Sequence, residues 1–141
     1  MFLKKRSLAS EQLDNFDLTG RALRQTLREL RQINRLFGNT RTLQGAIWRE
    51  MEAAKRPVTT IVDLGCGGGD ILAAIGVAAQ REGRQLQLIG IDGNPTTLAY
   101  AEVQWSNIPP LRFLGADILA PDFCVPACVF LISSHFLYHL P

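Results

Sequence analysis

Val62-Asp63-Leu64-Gly65-Cys66-Gly67-Gly68-Gly69-Asp70 is the stretch whose reading decides the fold. It ends an apolar, β-branched run, Val58 to Leu64, that reads as a buried strand. Gly65 to Gly69 then makes a tight turn, and a helical pattern runs from Asp70 to about Glu82, closed by Gly83. Glycines in such a turn tolerate positive φ and let a ligand lie against bare backbone amides. The helix start adds N–H groups and a partial positive charge. A loop of this kind suits a pyrophosphate or a carboxylate.

Outward from this unit the alternation continues. Leu86 to Asp92 reads as a second strand, and Pro95 to about Ser106 as a helix with proline in its first turn. Leu111 to Leu114 is a short third strand. Ala127 to Ser133 is a fourth, apolar throughout, as a central strand covered on both faces would be. Strand and helix in alternation predict an α/β fold, a Rossmann-like parallel sheet flanked by helices, with strands in the order 3-2-1-4. Upstream lies a helical segment. Leu23, Leu27, Leu30, Ile33 or Asn34, and Phe37 recur at three- and four-residue steps from about Thr19, with Arg21, Arg24, Arg28, Arg31 and Arg35 on another face. A second helix after Thr40 runs through Leu43, Ile47, Met51 and Ala54 until Arg56-Pro57 stops it. Residues 1–56 are thus a helical segment, read as a lid, and residues 57–141 a ligand-binding domain.

Composition fits one ordinary globular unit: 141 residues, 47% apolar and 20% charged, enough apolar material for a core. Charge is uneven. Residues 1–56 hold 12 Lys/Arg against 6 Asp/Glu, and residues 57–141 hold 3 against 7. The arginine stripe could touch nucleic acid, but Glu29 interrupts it and no aromatic platform accompanies it, so a solvated helix face is the expected reading. Cys66, Cys124 and Cys128 make neither a disulfide framework nor a metal-ligand pair, which suits a reducing cytoplasm. Residues 1–6 carry charges with no apolar h-region behind them, and no run approaches 18 apolar residues.

Two acids choose among ligands, and a third supports the site without choosing. Counted from Gly65, the position of the last dinucleotide-fingerprint glycine is Asp70. Asp63, two residues before the first glycine, would repel a pyrophosphate and attract a ligand with an amino group and a sulfonium. Asp92 ends the second strand, where a carboxylate accepts hydrogen bonds from ribose hydroxyls of either cofactor. A nicotinamide-dependent oxidoreductase fragment therefore stands as the disfavoured alternative.

Residues 58–141 resemble the class I S-adenosylmethionine-dependent methyltransferases. The segments that carry the likeness are V-D-L-G-C-G-G-G-D, I-G-I-D-G-N-P, G-A-D-I and V-F-L-I-S-S-H-F-L-Y-H-L, in that order. The resemblance implies S-adenosyl-L-methionine as cofactor. Asp63, Gly65, Cys66, Gly67 and Gly69 would hold its methionine portion and Asp92 its ribose. Gly93 and Asn94 would flank the adenine, and Asp117 would accept from the adenine amino group with Ile118 packed nearby. Ser133 would lie beside the transferable methyl, with Ser134, His135 and Tyr138 lining the acceptor pocket. The ending is similar to that of small-molecule methyltransferases of the ubiquinone-biosynthesis type. The prefix, with its Leu13-Asp14-Asn15-Phe16-Asp17-Leu18 opening, is similar to methyltransferases encoded beside type III polyketide synthases. An aromatic or polyketide-like small molecule is the acceptor implied.

The bland readings stand beside these. Cys66 is a small residue that fits a turn before it is a nucleophile. His135 and His139, four apart, lack further ligands for a metal, so none is expected; they serve as a general base or as pocket wall. Family members continue beyond the fourth strand with a helix and further strands, so the chain reads as truncated. Its fourth strand would be an apolar edge open to self-association, and its activity alone weak, as in a non-catalytic or partner-dependent remnant.

Overall fold

In the computed structural model, residues 20–36 and 39–133 are described. They form α1 (Gly20–Leu36), α2 (Asn39–Ala54), β1 (Val58–Leu64), α3 (Asp70–Arg81), β2 (Gln85–Asp92), α4 (Pro95–Gln104), β3 (Leu111–Gly115) and β4 (Phe130–Ile132). The strands make one parallel sheet in the order β3-β2-β1-β4, the order expected. No described helix is long and apolar enough to cross a membrane.

Strand alternation sorts the side chains into two faces. On one, Ile61, Leu86 and Leu88 pack against Ile71, Leu72, Ile75 and Ala79 of α3 and Ile47, Trp48 and Met51 of α2. On the other, among the described residues, Val62, Ile89 and Ile91 pack with Leu64 and with Ala116, Ile118, Phe123 and Cys128 from the segment after β3. Arg84 fastens α2 to the turn between α3 and β2. It pairs with Glu52 at 2.7 Å and Glu82 at 2.9 Å and lies over the Trp48 ring at 4.9 Å.

Helix bounds fall within two residues of the sequence reading, and β1 coincides with it. The fourth strand differs. Only Phe130–Ile132 pairs with β1, preceded by a hydrogen bond from Val129 N–H to Thr60 carbonyl. Ala127 to Val129 and Ser133 are not strand, and Leu131, on the face of its partner Val62, is 52% exposed. The expectation of a strand covered on both faces therefore fails among the described residues. The segment after β3 reaches Val62 and Ile89 but leaves Leu131 open.

Gly90 fixes the floor under the glycine turn. A Cβ there would meet Cys66 Sγ and Phe113 Cδ1, each at 2.8 Å. The central strand carries glycine because thiol and ring already fill that space. Gly90→Ala should lower stability by about 1–3 kcal/mol in urea melts through overpacking. Cys66→Ala in that background should recover part of the loss.

Candidate functional site

The turn between β1 and α3 is built from backbone bonds to the end of β2. Gly65 and Cys66 N–H both donate to the Ile91 carbonyl, at 2.8 and 3.0 Å, and Gly69 N–H donates to the Cys66 carbonyl at 3.0 Å. Gly65, Gly67 and Gly69 have φ of 68°, 52° and 72°, the left-handed region that side chains disfavour. At Gly69 a Cβ would also sit 2.6 Å from the Phe113 ring. The helix that follows has Gly69 as its N-cap, with no side-chain cap hydrogen bond.

Asp92 joins the turns after β1 and β2. One carboxylate oxygen accepts from Gly67 N–H and the other from Asn94 N–H, both at 2.9 Å. Each oxygen has a second lone pair, so acceptance from hydroxyls stays compatible with this arrangement. Asn94 itself is buried, and its side-chain oxygen caps α4 by accepting from Thr96 and Thr97 N–H. Its side chain thus has a structural task at the position where the resemblance places it beside adenine. Asp117 lies just beyond β3 and is exposed, with one oxygen accepting from Leu119 N–H at 2.9 Å. Ile118 packs on the Val62–Ile89–Ile91 cluster.

Asp63 is the anomalous group. It is 2% exposed at the end of β1, and its Oδ1 has no hydrogen-bond partner among the described residues. Burial, then the nearby carboxylates of Asp70 and Asp92, push its pKa up to about 8. Cys66 is buried beside it, and burial and the Asp63 and Asp92 charges push its thiol up as well. That is the opposite of the electropositive setting that activates a cysteine, and supports the small-residue reading. Ser133, at the end of β4, is half-buried with its Oγ unpartnered among the described residues. Ser134, His135, Tyr138 and His139 lie outside the described residues.

Sequence reasoning missed the aromatic surround. Trp105 Nε1 donates to the Gly68 carbonyl at 2.7 Å, Arg31 of α1 stacks over the indole at 4.7 Å, and Leu27 and Tyr100 lie against Gly68. Nothing local in the sequence marks Trp105 or Tyr100; Leu27 and Arg31 belong to the apolar and basic stripes of α1, and their partners come from packing. A separate depression lined by Met51, Arg56, Pro57 and Gln85 lies at the opposite end of the sheet. Parallel α/β sheets bind ligands at the carboxyl ends of their strands, where Asp63, Asp92 and Asp117 stand.

An acid whose folded pKa lies above its unfolded value favours the folded state at low pH. The unfolded chain ionises it from about pH 4, so stability falls from there up to about pH 8. Asp63→Asn removes this dependence. It should be more stable than wild type by about 2–4 kcal/mol at pH 8 in denaturant melts, with a smaller gap at pH 5.

No protein-family model and no curated protein matches the chain. Solved structures do. A putative S-adenosyl-L-methionine-dependent methyltransferase from Methanococcus maripaludis superposes with a TM-score of 0.58 at 10% identity, over 89% of this chain and 56% of that one. The carbon methyltransferase of DszA matches at 0.49 and 20% identity, over 57% of this chain and 22% of that one. Coclaurine N-methyltransferase, bound to N-methylheliamine and SAH, matches at 0.48 and 16% identity, over 66% and 27%. The chain spans little more than half the length of the Methanococcus protein and about a quarter of the other two. Strand order, parallel pairing and the Methanococcus superposition together show a Rossmann-like fold, the fold of that putative methyltransferase.

Proposed function

We propose that the chain binds S-adenosyl-L-methionine at the carboxyl end of β1 and β2 and serves methyl transfer to a small-molecule acceptor. The observation that carries the reading is the buried Asp63 carboxyl, whose Oδ1 is unpartnered among the described residues, beside a helix start with no side-chain cap. A carboxyl held out of water beside two other acids is costly unless a cation completes it. A ligand bearing an ammonium for Asp63 and a carboxylate for the N–H groups of α3 matches both ends of the site. Asp92 would accept from ribose hydroxyls, the Gly93–Asn94 turn and Ile118 would bound the adenine, and Asp117 would accept from its amino group. A pyrophosphate fits poorly against Asp63 and Asp70.

Bound there, the cofactor would supply an electrophilic methyl on a sulfonium. The residues of the chain would position it, exclude water and set charge. Asp63 would ionise as the ammonium arrives, so the site would release a proton on binding. Ser133 would stand beside the methyl. Ser134, His135 and Tyr138 would line the acceptor pocket, and His135 or His139 would take the proton of an oxygen acceptor or serve as pocket wall. An aromatic or polyketide-like compound, methylated at oxygen or carbon, is the acceptor class we favour. The exposed Leu131 on the short β4 supports association between copies of the chain.

Calorimetric titration of the folded chain tests the reading. S-adenosylmethionine should bind and NADH should not, and the reverse preference would replace the reading with a nicotinamide site. Affinity should rise from pH 6 to pH 7.5, with an observed enthalpy that depends on the buffer as protons are released. Asp63→Asn should weaken binding by about tenfold or more and abolish the buffer dependence.

A further inference from the structure

Between the glycine turn and the N-terminal helix sits one side chain that the proposed function does not use. Trp105 follows the last turn of α4, its backbone held by N–H donation to Ala101 carbonyl and by acceptance from Ile108 N–H, each at 3.0 Å. Its indole Nε1 donates to the Gly68 carbonyl at 2.7 Å. Its Cδ1 stands 3.4 Å from where a Gly69 side chain would begin. The Arg31 guanidinium lies over the ring, 4.7 Å from its centroid, within cation–π range. Leu27, one turn earlier in α1, reaches within 3.5 Å of the Gly68 Cβ position.

We propose that Trp105 is a positioning residue that holds the glycine turn in its ligand-ready shape, and that Arg31 ties α1 to the turn through it. The Gly68 carbonyl and the Gly69 N–H belong to one planar peptide. With its carbonyl fixed by the indole and its N–H by Cys66, that peptide cannot rotate, and Gly69 enters α3 at a defined angle. Four glycines in five residues otherwise give this turn more freedom than any other part of the chain. The indole supplies the restraint that those residues cannot supply themselves. Arg31 then adds a contact that exists only while α1 lies over the turn.

The ligand arm of the test rests on the methyl-transfer reading; the exchange arm does not. Hydrogen exchange of the intact chain is followed over residues 64–72 and over α1, and S-adenosylhomocysteine affinity is measured alongside. Trp105→Phe keeps a ring but loses the donor. It should speed exchange at the turn by roughly five- to tenfold and weaken S-adenosylhomocysteine by a similar factor, with core exchange unchanged. Turn exchange equal to wild type overturns the positioning role, whether or not the ligand binds. Exchange faster at the turn with no S-adenosylhomocysteine binding by wild type keeps this role and overturns the functional reading. Arg31→Ala, a change on an exposed side chain, should speed exchange in α1 and leave the turn within about twofold, as a weak exposed cation–π contact would. Unchanged α1 exchange overturns the Arg31 tie; if Trp105→Phe does not fold, the wild-type indole N–H carries the test of the positioning role, and its exchange at the rate of a free indole overturns that role.

Discussion

Both oxygens of the Asp92 carboxylate are engaged by backbone N–H groups, one from the turn after β1 and one from the turn after β2. Parallel pairing brings those turns together, since Leu64 stands opposite Ile91 in register. The Ile91 carbonyl then takes two further N–H groups of the glycine turn. The tightness of the turn and its three left-handed glycines go with this anchorage. Buried backbone donors need partners, and here the neighbouring strand end provides them.

The same crowding makes Asp63 expensive. A carboxyl with one oxygen unpartnered among the described residues sits at the end of β1, beside Asp70, Asp92 and a buried thiol. On the proposed reading, stability and ligand capture would pull in opposite directions at this residue, as they often do where a site is prepared for charge. The rest of the molecule tolerates that cost through the well-packed face formed with α2 and α3, where Ile61, Leu72, Ile75 and Leu88 are fully enclosed.

Much of this was legible in the sequence for physical reasons. The β-branched run of β1 and the glycines behind it can mean little except a buried strand turning sharply into a helix. Asp63, Asp92 and Asp117 could be read as strand-end acids because strand ends were themselves legible. Asn94 illustrates a signal present but read for something else: asparagine directly before proline at a helix start is a cap, and its oxygen takes two N–H groups. Trp105 lay out of reach, because its partner Gly68 is 37 residues away and only the packed fold brings them together. The extent of β4 was hidden too. Apolar composition marks a segment able to be buried, whereas strand length depends on which neighbours cover it.

Unequal ladders give the sheet a hierarchy of local opening. Seven residue pairs join β1 to β2, five join β2 to β3, and three join β1 to β4. The longer chain closure of β4 costs only about 1 kcal/mol more than that of β2, since closure entropy grows as the logarithm of length. Its three-residue ladder is what makes it the weakest junction. Ile132, its last paired residue, lies directly beside Asp63. Each opening of β4 would therefore uncover the edge of β1 beside the buried carboxyl, so the least paired edge of the sheet borders its most strained group.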